Sequence, residues 1–541
     1  LVQPWLKNQV IYGLAVDSFQ DSNGDGLGDL RGLISRLDYL NDLGITCLWI
    51  LPFFPSPNCD NGYDIADHEN IDPGRGTMGD FKRLVDEAHR RGMKVLIDLV
   101  AHHTSRQHPW FQSARSDETS RYRDHYLWSE SIPEGKQPEN IFPTVEDGVW
   151  RYDDMAQRYY FHLFYRHEPD LYFANPHVQE EILRITSFWM AYGIDGFRID
   201  ALNHLFEEKG IPGTGIDDPC DFLSRLHQVV TWHNPRAILM AEADTDPGKI
   251  EQFVCEGSGV PLYFNFLFNN NFYLALAREN ATPFREMCID QPADPDRWVW
   301  VNFLRNLDEV DLERISESER EEVYRAFAPE EDMRVYDRGI RRRLAPMLRG
   351  DPRRLKMAFS LLLSLPGSPM IVYGDEIGMG DDLSLPERES VRLPMQWTSG
   401  SRGGFSTSPH HSDINAPVAG GDFGYERVNV EAQVLDDESL LAFVRSAIHQ
   451  RQALPHFVDG HGKALESSND TVLAFGYEHK QGDLLTLHNF SRDSQLVSLE
   501  HRSLSEPQVL ISDPNSRPGD DASTYCVSPY GYVWLKFDRH S

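Results

Sequence analysis

Eight short runs of apolar, largely β-branched residues, separated by stretches of helical periodicity, constrain this chain more than any other feature. They lie at Val10–Val16, Thr46–Leu51, Lys94–Val100, Gly196–Ala201, Ala237–Ala243, Pro261–Phe266, Trp298–Asn306 and Pro369–Gly374. Between them apolar residues recur three and four apart, as at Met78–Arg91 and Val178–Tyr192, the spacing of one helix face. Such alternation implies an α/β fold, a parallel (β/α)8 TIM barrel with its functional groups on loops after the strand C-termini. The interval between the third and fourth strands is too long for one helix, so the aromatic-rich residues 104–176 are expected to form an inserted subdomain over one side of the cleft. Asp311–Arg349 is charged and helical in pattern, an insertion at about 308–350. From Phe457 short alternating strands with turn residues, such as Val472–Tyr477 and Asp483–Asn489, read as a C-terminal antiparallel β-sandwich. The expected division is 1–103 with 177–456 for the barrel, 104–176 for the inserted subdomain and 457–541 for the sandwich.

Composition narrows the partners. A chain of 541 residues with 40% hydrophobic content can bury a large core. A net charge of −32 argues against nucleic acid and anionic membranes, and no run approaches the roughly 20 apolar residues of a membrane span. The start, Leu1-Val2-Gln3-Pro4-Trp5, has neither the character of a signal peptide nor an initiator Met. Cys47, Cys59, Cys220, Cys255, Cys288 and Cys526 are scattered without a CxxC pair, which suits reduced thiols in a cytoplasm better than a disulfide framework or a zinc site.

Four of the apolar runs end in acids. These are Asp98-Leu99-Val100-Ala101-His102-His103, Gly196-Phe197-Arg198-Ile199-Asp200-Ala201, Met240-Ala241-Glu242-Ala243 and Arg305-Asn306-Leu307-Asp308-Glu309. Glycosidic bonds are cleaved by two carboxylates across an oxocarbenium-like transition state, and Asp200, Glu242 and Asp308 supply that pair and one spare charge. Strand alternation puts Arg198 and Asp200 on one face, where the guanidinium keeps the carboxylate ionised and oriented, as a nucleophile requires. Glu242 follows an apolar run, whose desolvation raises its pKa and keeps it protonated as the acid.

In these segments and their order the chain resembles the α-amylase family of glycoside hydrolases, family 13, over nearly its whole length. Several stretches look like the family's maltose–trehalose isomerising branch. Examples are Leu51-Pro52-Phe53-Phe54-Pro55-Ser56-Pro57, Gln107-His108-Pro109-Trp110-Phe111 and Gly339-Ile340-Arg341-Arg342-Arg343-Leu344-Ala345-Pro346. The resemblance implies that Asp308 holds the sugar's O2 and O3, that Tyr63 stacks, that Asp64 with Arg392 clamps O4, and that His103 contacts O6. It sets Glu309 and Glu313 near the acceptor sugar. Two departures fall in the site. The first segment reads His102-His103 where the family has Asn-His, and the fourth reads Asn306-Leu307-Asp308 where it has Asn-His-Asp. Leucine cannot donate to the O2/O3 edge, so a changed preference at C2 or C3 is expected. Asp244 stands where relatives usually carry a neutral residue near the acceptor.

Asp21-x-Asn23-x-Asp25-x-Leu27-x-Asp29 spaces oxygen ligands at every second residue, with Gly26 and Gly28 tightening the loop, as hard-cation sites do. It resembles the family's calcium loop after the first strand, so a structural calcium is expected, with Leu27 using its carbonyl and no organic cofactor. His102 disturbs a second family calcium site, which Asp170 alone would still serve. The expected activity is a retaining glucosyl enzyme on trehalose- or maltose-like disaccharides, most simply an intramolecular transferase. Hydrolysis of the same or a C2/C3-modified disaccharide is the alternative. A silent sugar-binding homologue is disfavoured because Asp200 and Glu242 are both present. The partner is a small saccharide, with a homo-oligomer left open.

Overall fold

Each of the eight apolar runs is a strand, and each is covered on both faces, which is why its residues are apolar without alternation. In the computed structural model, which describes residues 4–244, 247–290, 297–408, 416–459, 461–466, 469–498, 507–521 and 524–538, they are β1 (Ile11–Leu14), β2 (Cys47–Ile50), β3 (Lys94–Leu99), β4 (Gly196–Ile199), β5 (Ile238–Ala241), β6 (Leu262–Phe264), β7 (Val299–Phe303) and β8 (Ser368–Val372). All neighbours pair in parallel, and Ile11 of β1 faces both Cys47 of β2 and Met370 of β8, closing the barrel. Helix starts are locally encoded. Thr77 and Asp80 cap Met78–Arg90 reciprocally, and Asn175 followed by Pro176 opens Pro176–Ala191. No described helix is long and apolar enough to cross a membrane.

Between β3 and β4, Trp128–Ser129, Trp150–Asp153 and Arg158–Phe161 form a three-stranded antiparallel sheet. The insertion after β7 is not wholly helical, as its charge pattern suggested. Its helix Glu317–Phe327 sits beside a sheet of Val310–Asp311, Arg334–Val335 and Gly339–Ile340. These strands are two residues long, too short to leave a period of two in the sequence.

Beyond the barrel, a five-stranded sheet (His461–Leu465, Val472–His479, Gly482–Asn489, Tyr532–Phe537, Gln508–Ser512) faces a three-stranded one (Gln495–Ser498, Thr524–Val527, Arg517–Pro518). Val472, Leu485, Leu487, Val527, Val533 and Leu535 pack between them. Leu473, Phe475, Tyr477 and Trp534, on the opposite face, join the main core. Trp534 Nε1 and His488 Nε2 both meet Ser360 Oγ, at 2.9 and 3.0 Å, fastening that sheet to the barrel helix Pro352–Ser364.

The cysteine reading needs correction. Cys220 opens the helix Cys220–His233, Cys255 lies in the turns after β5, and the fold brings them together as a disulfide across 35 residues. Cys47, Cys59, Cys288 and Cys526 are free thiols. Scattered spacing carried no trace of the pair because a tertiary contact makes it.

Candidate active site

The C-terminal ends of the barrel strands open into a cavity of about 950 Å³ whose walls include Asp200, Glu242 and Asp308. Strand register assembles its floor. Asp98 of β3 is directly across from Arg198 of β4, and Arg198 Nη1 reaches Asp98 Oδ1 at 2.5 Å and Asp200 Oδ1 at 2.6 Å. Its other nitrogen, Nη2, reaches Glu242 Oε2 at 2.6 Å. One guanidinium thus holds three carboxylates, from the ends of three adjacent strands. It is caged by aromatic faces, 4.9 Å from the Trp49 ring and 5.6 Å from that of Phe264, and Trp49 Nε1 donates to Asp98 Oδ2 at 3.0 Å.

The backbone around β4 is tightly specified. Gly196 opens β4 at φ +146°, and a Cβ there would lie 1.8 Å from the Ile238 carbonyl oxygen of β5, so no side chain fits. Ala201, just after Asp200, takes a left-handed conformation (φ 46°, ψ 44°) that costs a non-glycine residue energy and is concentrated at functional sites. That turn aims the Ala201 N–H at Glu242 Oε2, 3.5 Å away.

Electrostatics separates the carboxyls. Burial, with Asp200 and Asp308 near it, raises Glu242 to about 7 against the pull of Arg198. Burial likewise lifts Asp98 to about 6. Asp308 goes the other way. Burial would raise it, but Arg392 and Arg388 overcome that and bring it down to about 2. A carboxyl poised near neutrality beside one kept ionised is the pattern of an acid–base pair.

Several sequence-derived residues line this cavity or bind its acids. Tyr63 lines the cavity beside Asp98, with a 3.4 Å contact from its hydroxyl. His103 lines it too, and burial holds its imidazole neutral, at about 3. Arg392 donates through Nε to Asp308 Oδ1 at 2.8 Å and also through Nη2. Glu313 lines the far wall near Asp244 and Asp311.

Others are placed differently. Asp64 does not reach Arg392. It is fully buried and accepts from Ser56 Oγ, Cys59 N and Asp60 N, so it shapes the loop. Arg392 instead reaches Asp60, whose Oδ1 takes Arg392 Nη1 at 3.2 Å. Glu309 is only 4% exposed and is gripped by Arg388 at 2.7 and 3.1 Å, so it positions that arginine. Asp244 pairs with Arg314 Nε at 2.7 Å. Leu307 is in the packed core, 3% exposed, toward Gly13 and the Trp49 ring.

His102 is also placed differently, buried and not among the residues that line the cavity. Lys209 Nζ, itself buried, donates to His102 Nε2 at 2.9 Å, to Asp170 Oδ2 at 2.7 Å and to the His204 carbonyl at 3.3 Å. Burial and the neighbouring ammonium hold His102 neutral. The chain's own cation sits among the groups where the resemblance set a second calcium, so these residues do not fit a metal. Asp60, Asp98, Arg388 and Lys209 were the residues given no role in the sequence. Only Asp60, three residues before Tyr63, and Asp98, the acid within an apolar run, carried a visible signal.

The Asp21–Asp29 loop offers an all-oxygen donor set, with Asn23, Asp25 and Leu27 exposed. Its side chains also organise the turn. Asp21 accepts from the N–H groups of Asn23, Gly24 and Gly26, Asp25 from that of Leu27, and Asp29 from that of Gly32 as a helix cap. Gly28 is required, since a Cβ would lie 2.1 Å from the Val16 carbonyl oxygen. Among the described residues, the acidic group whose ligand atoms all lie within 4.8 Å of one another is instead Asp244, Asp311 and Glu313. There Arg314 and Arg338 already pair with Asp244 and Asp311.

Comparison with known proteins agrees with this geometry. Residues 14–460 match the family described as alpha amylase, catalytic domain. The trehalose synthase/amylase TreS of Mycobacterium tuberculosis (strain H37Rv) is 41% identical over 546 aligned positions, which span 99% of this chain and 91% of that protein. Among solved structures, the trehalulose synthase MutB from Pseudomonas mesoacidophila MX-45 superposes with a TM-score of 0.79 at 26% identity, covering 99% of this chain and all of that one. Bacillus licheniformis trehalose-6-phosphate hydrolase (TreA) gives 0.79 at 25% identity, with the same coverage.

Proposed function

Because the chain belongs to the α-amylase family, we propose that it is a retaining α-glucosyl enzyme that interconverts maltose- and trehalose-like disaccharides by intramolecular transfer. The observation that carries this reading is the single guanidinium of Arg198 bridging Asp200 and Glu242 at 2.6 Å each. Two carboxyls on one fork suit the ~5–5.5 Å separation of retaining enzymes, where the second carboxylate is a nucleophile.

Asp200 attacks the anomeric carbon while Glu242 gives its proton to the departing oxygen, leaving a glucosyl ester on Asp200 and a free glucose. Glu242, now ionised, takes a proton from another hydroxyl of that glucose. The hydroxyl oxygen displaces Asp200 and the isomeric disaccharide is complete. Asp308, ionised and held by Arg392, stabilises the positive charge that develops at the ring in both steps. Arg388, drawn to Glu309, closes the wall beside it. Water in place of the glucose gives hydrolysis.

The remaining parts of the reading fit around this core. The division into 1–103 with 177–456, 104–176 and 457–541 is supported by the separate sheets between β3 and β4 and after the barrel. The Asp21–Asp29 loop is a structural calcium site, supported by its oxygen-only donors, and takes no part in the chemistry. The four free thiols favour a cytoplasmic setting, against which the Cys220–Cys255 disulfide counts. The test is incubation with maltose, trehalose and sucrose separately, resolving products by chromatography. Maltose and trehalose should each yield the other with little free glucose. Glucose alone would make the enzyme a hydrolase, and no turnover of any would refute the proposal.

A further inference from the structure

The main-chain groups of Asp308 lie outside the hydrogen-bond ladder of the barrel. β7 ends at Phe303, and strand pairing resumes only at Val310. Between them Asp308 donates its N–H to Asn306 Oδ1 at 3.1 Å, and its carbonyl accepts from Arg305 Nη2 at 3.0 Å. Two side chains of the same turn therefore fix the backbone from which its carboxylate projects. Arg305 is only 1% exposed. Its Nη1 faces Asp375 Oδ2 at 3.8 Å, and Asp375 Oδ1 accepts from Arg343 Nη1 at 3.1 Å. Arg343, fully buried in the run Gly339–Pro346, donates through Nε to the Val391 carbonyl at 3.0 Å. The next residue is Arg392, which grips the Asp308 carboxylate. These contacts close a ring that leaves Asp308 by its carbonyl and returns to its carboxylate.

Stability does not account for Arg305. Two guanidiniums share the one carboxylate of Asp375, and Arg305 Nε and Nη1 make no hydrogen bond. Burial pulls the Arg305 pKa below its ordinary value, and Arg343 adds to this against the attraction of Asp375. Replacing a buried charge so poorly met with an apolar residue of like volume is often neutral or stabilising. What such a residue cannot supply is the bond to the Asp308 carbonyl and the link to Asp375. Resting on the proposed glucosyl chemistry, we propose that Arg305 is a positioning residue which, with Asp375 and Arg343, sets the Asp308 carboxylate against Arg392 and the reacting sugar ring. Arg305 is not among the residues that line the cavity, so it acts through Asp308 alone. Its effect falls on the transition state, because the charge that Asp308 counters develops there and is absent from the bound sugar.

The experiment measures kcat and KM for maltose and trehalose, the melting temperature, and Kd for neutral glucose and for the cationic iminosugar 1-deoxynojirimycin. The proteins are the wild type, Arg305→Met and Arg305→Lys. In Arg305→Met kcat should fall about 10²-fold, the loss that accompanies a misplaced group, with KM unchanged. Binding of the iminosugar, which carries positive charge in its ring, should weaken while that of glucose holds. The melting temperature should equal or exceed the wild-type value. An arginine that is only structural gives the reverse, a lower melting temperature with kcat kept. That result overturns the proposal, as does an equal loss of glucose and iminosugar binding. Lysine keeps the buried charge but replaces the guanidinium fork with a single nitrogen, so kcat should fall in Arg305→Lys too. Wild-type kcat there overturns the proposal, and this arm decides if the methionine variant does not fold. A wild type inert on both disaccharides sinks the glucosyl reading itself, whereas an active one indifferent to Arg305 sinks only the ring.

Discussion

Replacing Arg198 with methionine removes one cation from contact with three buried carboxylates, and the consequences can be worked out for each. Asp98, Asp200 and Glu242 all lie 2.5–2.6 Å from its terminal nitrogens. An opposite charge that close lowers a carboxylate pKa by about 1–3 units, so in Arg198→Met the already raised values of Asp98 and Glu242 rise further by amounts of that order. Glu242, already at about 7, stays protonated to higher pH. The alkaline limb of the pH–rate profile should therefore move to higher pH by about 1–3 units. With the nucleophile also no longer oriented, kcat at the optimum should fall roughly 10²–10³-fold, as when a fixed charge partner is lost from a transition state. Stability follows the same groups. A carboxyl whose folded pKa exceeds its unfolded value stabilises fully below the unfolded pKa, and that contribution is lost as pH rises through the folded one. The variant should thus be closest to wild type near pH 5 and fall behind by about 3–5 kcal/mol near pH 8, where folding without Arg198 must keep buried carboxyls protonated against the solution pH. Initial rates from pH 4 to 9 and denaturant midpoints at pH 5 and 8 are the measurements. A stability gap independent of pH, or an alkaline limb left at its wild-type position, would refute the reasoning.

Asp200→Asn and Glu242→Gln should each lower turnover by about 10²–10⁴-fold or more with unchanged melting, and near-normal rates in either would overturn the assigned roles. In the wild type the alkaline limb of kcat/KM should fall near pH 7, where Glu242 loses its proton. Chelator should lower the melting temperature and calcium restore it by mass action, a response that Asp25→Ala abolishes; a chelator-insensitive protein without bound metal leaves only a turn. Lys209→Met strands Asp170 without its ammonium and should cost about 3–5 kcal/mol; a melting temperature equal to wild type would show that the buried triad is not held by charge. Leu307→His should cost about 1–3 kcal/mol for burying an imidazole and leave the preference between plain and C2-modified glucosides unchanged. A shift toward plain glucosides would mean that position 307 does face the sugar.

The barrel was legible because its signal is local. A strand covered on both faces must be apolar throughout, a helix on its rim must repeat every three to four residues, and each leaves that period in its own few residues. The acids at the strand ends were legible for the same reason, since a charged group at the close of an apolar run is anomalous wherever the chain goes. Asp200 and Arg198, two apart on one strand, could even be paired by alternation alone. What tertiary structure decided was which charge meets which. Asp60 and Asp64 both stand near Tyr63 in sequence, yet one takes Arg392 and the other ties its own loop. Lys209 and His102 are 107 positions apart, and Cys220 and Cys255 are 35 apart. Leu307 looked like a missing sugar contact, yet its side chain is buried in the core beside Gly13. Ion pairs, disulfides and the facing of a loop residue depend on distances between segments that only closure of the barrel sets, and a period read along the chain contains no such distance.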